Sequence, residues 1–299
     1  MSKSSTQTVL VTGATGTTGS ALLRLLEERG FALRAMIRHK QDVAKLGDTS
    51  ASIVIGDFDD AGSIAAALDG VDSAYLVTPS SIDAEAQQIR FAELAAAARV
   101  RHLVKLSQLG AKEDSPVRFL RYHAAVERRI LELGLGYTFL RPNLFFQGLL
   151  AFKAMIADEG RFFAPIGDAR VTAVDIRDIA MVVVVVLTHP GHVGKTYTIT
   201  GPAAVTHGEI AHAIAGAIGR EVKFIDLSPE DFALALRKIG MPPWQVDGLV
   251  EDYAHYVRGE AAEVYPTIRE VTGTLPRDVG AFAHDYASAF SSQRSEPIL

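Results

Sequence analysis

Short runs of apolar, mostly β-branched residues alternate with Ala- and Leu-rich segments of helical period through the first half of the chain. This alternation predicts parallel β-strands connected by α-helices. The apolar runs are continuous rather than alternating, which is typical of a sheet covered on both faces. The predicted strands cover residues 9–11, 33–38, 53–55, 74–78, 103–107 and 137–140, and the predicted helices cover residues 20–29, 64–68, 84–98 and 117–133.

The second half of the chain is less regular and contains five consecutive valines at residues 182–186. Valine favours strands, but Asp175 and Asp178 precede the run, and acidic residues are typical of a helix start. We therefore predict a buried helix, with the two aspartates as capping rather than catalytic residues. Ser228 followed by Pro229 indicates the start of another helix. Further predicted elements are strands over residues 197–200 and 222–226 and a helix over residues 207–218.

A glycine-rich segment, TGATGTTG over residues 12–19, lies between the first predicted strand and the first predicted helix. The glycines are three residues apart, which differs from the G-x-G-x-x-G spacing. The physics is the same, because a tight turn without side chains brings backbone N–H groups and a helix N-terminus to a pyrophosphate. A turn without a ligand is the alternative, but the position in a strand–helix–strand series favours dinucleotide binding. The residues predicted to bind there are Gly13, Thr15, Gly16, Thr17, Thr18 and Gly19.

The second predicted strand ends in basic residues, LRAMIRHK over residues 33–40, with no acid before Asp42. NAD-specific sites usually place an acid here on the ribose 2′-hydroxyl group, whereas an arginine accommodates the 2′-phosphate of NADP. Arg38 is therefore predicted to bind that phosphate. The alternative is that Arg38 and Lys40 are ordinary surface charges. The stretch favours NADPH as the cofactor.

Polar and turn-forming residues follow the third and fourth predicted strands, which end at the same edge of a parallel sheet. Asp57 is predicted either to accept a hydrogen bond from the adenine amino group or to hold a loop turn. Phe58 is predicted to pack near the adenine ring. Thr78, Pro79 and Ser80 are predicted to lie along the ribose and the nicotinamide.

These patterns predict an α/β fold with a Rossmann-type, doubly wound parallel sheet that has helices on both faces, followed by a smaller α+β C-terminal substrate domain. We place a dinucleotide-binding domain at residues 5–150, with contributions from about residues 170–200. A smaller substrate-cleft domain is placed at residues 201–290. Residues 291–299 are polar and are predicted to be a disordered tail.

Composition and charge exclude several classes of protein. The 299 residues contain 30 Lys and Arg against 35 Asp and Glu, so no basic surface for nucleic acid is indicated. The absence of cysteine excludes disulfides, iron–sulfur clusters and a cysteine nucleophile, and the nine histidines are scattered without metal-ligand spacing. No stretch approaches the roughly 20 apolar residues of a membrane helix, and the N-terminus has no apolar signal-peptide core. We expect a cytoplasmic protein without a metal, a nucleic-acid partner or a membrane partner.

Several pieces of the sequence resemble the NmrA-like branch of the atypical short-chain dehydrogenase/reductase superfamily, over about residues 9–290. These pieces are VTGATGTTG at residues 11–19, Arg38, GDF at residues 56–58, YTFLRPN at residues 137–143 with His123 and Glu127 upstream, and VDIRDIA at residues 174–180. Within the branch, the chain is most similar to type-2 NADPH quinone oxidoreductases and triphenylmethane dye reductases. The resemblance implies a two-domain fold, NADPH binding and an apolar substrate cleft between the domains.

The usual catalytic pair of this superfamily, a tyrosine followed four residues later by a lysine, is missing. None of the eight tyrosines has a lysine at that position. A tyrosine acid whose pKa is lowered by an adjacent ammonium group is therefore not built locally, which disfavours alcohol–ketone interconversion. Reduction of a quinone or a cationic dye needs less acid catalysis than alcohol–ketone interconversion. The hydride transfer needs mainly a nicotinamide stacked against the acceptor in a dry cleft.

His123 and Ser107 are the candidate catalytic residues. His123 lies on the helix that leads to Tyr137, about where the superfamily places its catalytic lysine, and an imidazole can donate a proton near neutral pH. A structural histidine is the alternative. Ser107 ends the fifth predicted strand in the usual serine neighbourhood, or else simply terminates that strand. Tyr122 is predicted to point about 100° away from His123 on the helix.

Aromatic residues of the second half supply candidate walls for a substrate pocket. Phe145, Phe146 and Trp244 are predicted to line a site for a flat apolar acceptor, with burial in the core as the alternative. Asn143 is predicted to bond a carboxamide or to cap its own turn. The residues predicted to contact the cofactor after the sixth strand are Pro142, Asn143 and Leu144.

The predicted function is that of an NADPH-dependent oxidoreductase that transfers hydride to a quinone or a dye-like apolar acceptor. The resemblance also implies an alternative, a non-enzymatic NADP(H)-sensing regulator of the NmrA type that binds a protein partner. An epimerase or dehydratase is disfavoured, because such reactions usually need a strong base of the missing kind. The expected partner is a small apolar or aromatic acceptor, and a homodimer is left open.

Overall fold

The structure is a computed structural model that describes residues 7–291. These residues form two compact units. Unit 1 comprises Met1–Pro142, Ile176–Ile199 and Thr267–Thr274, and unit 2 comprises Asn143–Asp175, Thr200–Pro266 and Leu275–Leu299, in each case as far as the described residues reach. The predicted disordered tail lies outside the described residues from residue 292 onward.

Nine strands are present within residues 7–291, and seven of them form one parallel sheet in unit 1. They are β1 (Thr8–Val11), β2 (Ala32–Ile37), β3 (Ser52–Ile55), β4 (Ser73–Leu76), β5 (His102–Leu106), β6 (Tyr137–Pro142), β7 (Arg161–Ala164), β8 (Lys195–Ile199) and β9 (Lys223–Asp226). The order in the large sheet is β3-β2-β1-β4-β5-β6-β8. This is the doubly wound Rossmann arrangement, in which the winding reverses between β1 and β4. The predicted fold class and the predicted strands are confirmed.

Helices connect these strands, and within residues 7–291 none of them is both long and apolar enough to cross a bilayer. Two segments, Lys40–Leu46 and Phe146–Phe152, are 3-10 helices. The α-helices are α1 (Thr17–Glu27), α2 (Ala61–Leu68), α3 (Ala84–Ala97), α4 (Arg118–Glu132), α5 (Lys153–Glu159), α6 (Ile176–Thr188), α7 (His207–Ile218), α8 (Pro229–Lys238), α9 (Pro243–Val257), α10 (Thr267–Thr272), α11 (Val279–Asp285) and α12 (Ala287–Phe290).

Two groups of helices bury the apolar strands of unit 1. On one face, Ile64 of α2, Phe91 of α3 and Val126 of α4 join Leu103 of β5 in a buried cluster. On the opposite face α1 packs against α6, and α6 packs against α10. The valine run at residues 182–186 belongs to α6, which confirms the predicted buried helix. Tertiary burial therefore outweighs the strand propensity of valine.

The chain crosses between the units at positions that differ from the predicted boundaries. It leaves unit 1 after Pro142, where β6 ends, rather than near residue 150, and Thr267–Thr274 returns to unit 1. The returning segment contains α10, which packs against α6 and β8. A helix of six residues has too few turns to show an apolar period, so the sequence gives no sign of this return.

Unit 2 contains the parallel pair β7–β9 and the remaining helices. Phe146 stacks on Phe282 with ring centroids 5.2 Å apart, and Phe232 and Val246 form a second apolar cluster. The predicted helix over residues 207–218 is α7, and the predicted strand over residues 222–226 is β9. The predicted cap of α8 is also confirmed, because Ser228 Oγ accepts a hydrogen bond from the N–H of Asp231 at 3.0 Å.

Candidate active site

The glycine-rich segment forms the turn between β1 and α1 at the carboxyl edge of the sheet. The helix begins at Thr17 with Gly16 as its N-cap, and Thr15, Gly16 and Thr17 are exposed. The N–H of Gly16 donates to the carbonyl oxygen of Gly13 at 2.9 Å, which closes the turn. Since the first N–H groups of a helix have no partner inside the helix, the turn presents free donors and the positive end of a helix dipole to an anion.

The three glycines of the turn differ in what a side chain would meet. Gly13 has φ +58°, and a Cβ there would lie 2.6 Å from Val77 Cγ1. A Cβ on Gly19 would lie 2.2 Å from the carbonyl oxygen of Gly13, so the backbone would have to move. A Cβ on Gly16 would meet only that same oxygen, at 3.2 Å, and would otherwise stand in open space. The turn therefore leaves in front of Gly16 the room that a pyrophosphate needs, and it fits a dinucleotide.

Arg38 and Asp57 form an ion pair at the same edge, where β2 and β3 end. Arg38 Nε lies 3.1 Å from Asp57 Oδ2, and the arginine side chain is 62% exposed. Within residues 7–291 the guanidinium group makes no other hydrogen bond or ion pair, so its two terminal NH2 groups remain available to a phosphate. The backbone N–H of Asp59, and then the Arg38 guanidinium, hold the pKa of Asp57 below its ordinary value.

Asp57 also holds its own loop, which is the alternative that its sequence position left open. Its Oδ1 accepts from the N–H of Asp59 at 3.0 Å, and its backbone N–H donates to Ser63 Oγ at 3.0 Å. Phe58 packs against Phe91 with ring centroids 5.8 Å apart, on the rim of the core cluster of α2 to α4. Contacts of Asp57 and Phe58 with adenine therefore stay predictions.

The segment after β4 also lies at this edge, beside the glycine turn. Thr78 Oγ1 accepts a hydrogen bond from Gln88 Nε2 at 2.8 Å, and Ser80 Oγ lies 3.4 Å from Tyr122 Oη. Pro79 is exposed. Because β1 and β4 are adjacent strands, a cofactor held by the glycine turn would pass close to this segment. The individual contacts of Thr78, Pro79 and Ser80 with the cofactor stay predictions.

A buried lysine holds the candidate catalytic histidine. Lys105 of β5 is 0% exposed, and its Nζ lies 2.7 Å from His123 Nδ1 and 3.1 Å from the carbonyl oxygen of Leu106. Burial lowers the pKa of Lys105 to about 7. Burial also holds the pKa of His123 well below its ordinary value, and the positive charge of Lys105 lowers it further. The imidazole is therefore neutral at physiological pH.

Ser107, the second candidate catalytic residue, bonds to a carboxylate rather than to His123. Ser107 Oγ donates to Glu127 Oε1 at 2.5 Å. Arg141 of β6 donates to both oxygens of the same carboxylate, from Nε at 3.1 Å and from Nη2 at 2.5 Å. Glu127 is 4% exposed, so these bonds satisfy a buried charge. Ser107, which follows β5, and His123 of α4 thus belong to two separate hydrogen-bonded groups.

The ring of Tyr122 lies against the ring of His123, with centroids 4.1 Å apart and planes inclined by 35°. The prediction that Tyr122 points away from His123 is therefore wrong for the rings. The angle of about 100° describes the directions in which successive side chains leave the helix axis. Rotation about the side-chain bonds brings the two planar groups together, and it also places Tyr122 Oη near Ser80.

The predicted cofactor and pocket residues beyond β6 belong to unit 2, except for Pro142, which ends β6. Asn143 Nδ2 donates to Thr172 Oγ1 at 2.7 Å and to the carbonyl oxygen of Ala261 at 2.8 Å. Its Oδ1 accepts from the N–H of Leu144 at 2.8 Å, which is the turn-capping alternative. Phe146 is 2% exposed in the core of unit 2. Three other predicted cofactor and pocket residues are partly exposed, namely Leu144, Phe145 and Trp244. Their contacts with a cofactor or an acceptor stay predictions.

Sequence reasoning missed Lys105, although the sequence carries a signal for it. The apolar run over residues 103–107 is interrupted by a lysine with aliphatic residues on both sides. A charged residue in a strand that is covered on both faces needs a buried partner. The period of a helix also places Glu127 one turn after His123, where it faces the same strand. Within residues 7–291 no three His, Asp or Glu side chains are arranged to hold a metal ion.

Comparisons with known proteins agree with this architecture. The model of the NmrA-like family matches residues 5–275. The chain is 35% identical over 284 residues to an NAD(P)H azoreductase from Xenophilus azovorans, covering 95% of this chain and 99% of that protein. An NADPH-dependent quinone oxidoreductase from Escherichia coli, solved with NADPH, superimposes with a TM-score of 0.83 at 25% identity and covers 93% and 99% of the two chains. A triphenylmethane reductase from Citrobacter sp., solved with NADP(H), has a TM-score of 0.81 at 24% identity over 93% and 99% of the chains and supports the fold alone.

Proposed function

The chain belongs to the NmrA-like family, and on that premise we propose that it is an NADPH-dependent oxidoreductase that reduces a quinone or a dye-like apolar acceptor. The observation that carries the proposal is the pairing of two features at one sheet edge. The glycine turn opens onto the start of α1, and Arg38 stands at the end of the neighbouring strand β2. An anion-binding turn beside an arginine with two free NH2 groups matches the pyrophosphate and the 2′-phosphate of NADPH.

The residues that would hold the cofactor follow the carboxyl edge of unit 1. The turn from Gly13 to Gly19 would bind the pyrophosphate, Arg38 the 2′-phosphate, and the segment after β4 would border the ribose and nicotinamide. Bound NADPH supplies a hydride to the acceptor. For that transfer the protein positions the reactants, excludes water and supplies groups that can donate a proton.

The missing tyrosine–lysine pair and the similar proteins support the acceptor class. The chain has no tyrosine–lysine pair for an alcohol or ketone, whereas a quinone needs only a hydride and one proton. The azoreductase and the quinone oxidoreductase among the similar proteins are named for flat, conjugated acceptors. A flat apolar or aromatic molecule is therefore the proposed substrate. Cytoplasmic location and dimer formation stay predictions.

Oxidation of NADPH in the presence of a panel of acceptors tests this function directly. We expect turnover with members of a panel of quinones, azo dyes and cationic triphenylmethane dyes, and little turnover with simple alcohols, aldehydes and ketones. The absorbance of NADPH at its long-wavelength band measures the rate. Tight NADPH binding without oxidation by any acceptor would contradict the enzyme function and favour a cofactor-sensing regulator.

Arg38→Ala is expected to weaken NADPH binding about ten- to a hundredfold and to leave NADH binding nearly unchanged. Loss of one charge-assisted contact with a phosphate costs roughly 1.5–3 kcal/mol, and only NADPH carries the 2′-phosphate. Cofactor fluorescence titration measures both dissociation constants. Arg24→Ala, which removes an exposed arginine from the last turn of α1, is the matched control and should change neither constant. Equal weakening of NADPH and NADH by Arg38→Ala would contradict the assignment of the 2′-phosphate.

A further inference from the structure

Lys105 is a fully buried amine that makes no ion pair within residues 7–291. In the part of the chain that the structure describes, its Nζ bonds only His123 Nδ1, at 2.7 Å, and the carbonyl oxygen of Leu106, at 3.1 Å. The register of the sheet places Leu76 of β4 and Phe139 of β6 directly beside it. These two side chains are at most 2% exposed, so the amine is flanked by dry apolar groups. An ammonium ion in such surroundings gives up its proton far more easily than a surface lysine.

The nearby carboxylate of Glu127 is already engaged. It accepts two hydrogen bonds from Arg141 and one from Ser107, so its charge is paired with the guanidinium group. Glu127 still acts on Lys105 through space, and it favours the protonated amine, whereas Arg141 opposes it. The titratable and charged groups that face Lys105 are thus His123 and Glu127 from α4 and Arg141 from β6. His123 is the one group among them that exchanges a hydrogen bond with the amine.

The bond between Lys105 and His123 sets the tautomer of the imidazole. A protonated amine can only donate, so His123 Nδ1 must accept, and the ring proton is then on Nε2. A neutral imidazole in this form carries one proton that it can donate outward. A second proton is available from the Lys105 ammonium group, whose Nζ lies 2.7 Å from His123 Nδ1.

We propose that Lys105 is the proton store for the reduction of the acceptor, and that it acts through His123. The proposal deepens the proposed function and rests on it. Lys105 touches neither cofactor nor substrate and is therefore a positioning and proton-supplying residue. In this arrangement His123 is the group that meets the acceptor, and Lys105 replaces the proton that His123 gives away.

The transfer balances in atoms and charge for a quinone. The quinone takes a hydride, with both of its electrons, from bound NADPH, and one quinone oxygen takes the proton from His123 Nε2. The ammonium proton of Lys105 moves to His123 Nδ1, so the imidazole stays neutral in its other tautomer. After the hydroquinone leaves, a solvent proton returns to Nε2, and the Nδ1 proton returns to the amine. The sum is one quinone, one NADPH and one solvent proton converted to hydroquinone and NADP⁺.

The proposal predicts a split between two kinds of acceptor. A cationic triphenylmethane dye is reduced when hydride adds to its central carbon, and that step needs no proton. Lys105→Met removes the stored proton and keeps an apolar side chain of similar length between Leu76 and Phe139. We expect the turnover number with a quinone to fall about 10²-fold or more, the typical contribution of one proton-transferring group. With the dye it should fall less than about threefold.

Steady-state kinetics of purified full-length variants measure this split. Lys112→Met is the matched control, because that lysine is 71% exposed and pairs with Asp114 at the surface. It should leave both rates at the wild-type level. With wild type, the quinone turnover number should fall as pH rises through about 7, where Lys105 loses its proton. That pH dependence should be missing from Lys105→Met and from dye reduction by either protein.

A measurement without turnover tests the same arrangement in the free protein. In ¹⁵N NMR at pH 6, His123 of the wild type should be neutral with its proton on Nε2, and Lys105→Met should change the Nδ1 resonance. A Lys105 Nζ resonance, assigned by its loss in the variant, should titrate near pH 7. A proton on Nδ1 at pH 6, or a Lys105 amine that titrates like a surface lysine, would overturn the proposal. The tautomer of His123 is measured on the wild type alone, so this part of the test stands even if Lys105→Met fails to fold.

The kinetic outcomes separate this inference from the proposed function. Wild type that reduces quinones, combined with equal losses for quinone and dye in Lys105→Met, overturns the proton store and leaves the reductase intact. Wild type that oxidises NADPH with no acceptor removes the proposed function itself. In that case the proton store falls with it, whatever the NMR shows of the hydrogen bond.

Discussion

Gly16→Val is expected to raise the dissociation constant for NADPH at least about a hundredfold while leaving unit 1 folded. The exposed N-cap glycine leaves open the space where the pyrophosphate would approach the start of α1. A branched side chain would fill that space and block several charge-assisted bonds to backbone N–H groups, each worth about 1.5–3 kcal/mol. Within the protein, the new Cβ would meet only the carbonyl oxygen of Gly13, at 3.2 Å. The melting temperature should therefore change little.

Two matched glycine variants make this result specific. Gly19→Ala places its Cβ 2.2 Å from the same oxygen, so the turn itself must move, and both the melting temperature and NADPH binding should fall. Gly216→Val, at a helical position of α7 with nothing within 4 Å, should change neither beyond a small loss of helix propensity. Cofactor fluorescence titration and thermal melts distinguish the three cases. NADPH binding by Gly16→Val within about threefold of wild type would show that the turn has a structural role alone.

The architecture of unit 1 could be predicted because its signals are local and mutually consistent. Short apolar runs of three to six residues alternate with segments of helical period, and a glycine turn follows the first run. These signals all require the same doubly wound sheet. The position of Arg38 follows from the same logic, since the carboxyl ends of parallel strands share one edge. The valine run of α6 was ambiguous by propensity, and the preceding acids were sufficient to predict the helix.

Much of unit 2 was not predictable because its elements lack a strong period. The strand β7 has four residues and the helix α5 has seven, and both are shorter than the windows in which periodicity can be measured. α9 is longer, but Gly248 and charged residues interrupt its apolar stripe. Only the proline at its first turn indicates a helix start.

The candidate site shows which contacts sequence spacing cannot supply. The pairing of Lys105 with His123 depends on how α4 packs against β5, a tertiary relation between residues 18 positions apart. The ion pair of Arg38 and Asp57 likewise joins the ends of two strands. In both cases the sequence shows the charged residue but does not show which residue it pairs with. The useful signal in the sequence is a charged residue in an apolar strand, because it must find a partner when it is buried.

His123→Asn is expected to lower the turnover number with a quinone about 10²–10³-fold and to leave the fold nearly unchanged. The amide oxygen of asparagine lies close to the position of the imidazole Nδ1, so it can still accept the hydrogen bond of Lys105. The variant lacks the Nε2 proton that the proposed mechanism donates to the acceptor. A cationic dye needs no proton in the hydride step and should therefore be affected much less. The ratio of the two turnover numbers is the measured quantity.

His123→Ala is the companion variant that tests whether His123 has a structural role alone. It removes the acceptor of the Lys105 hydrogen bond, so we expect it to lower the free energy of unfolding by about 1–3 kcal/mol in addition to slowing quinone reduction. A histidine with a structural role alone would give the same loss of stability in His123→Ala. In that case the turnover per folded molecule would stay intact in both His123 variants.

The combination of His123→Asn with Lys105→Met decides whether the two residues act in one proton path. The effects of removing two groups that act in series are not additive. Once the first removal has broken the proton path, the second removal has no further effect. The double variant should then reduce quinones no more slowly than the slower single variant, within about threefold. Independent roles predict instead that the two losses multiply, to about 10⁴-fold or more. A multiplied loss would therefore separate His123 from Lys105 and leave the histidine as a donor supplied directly by solvent.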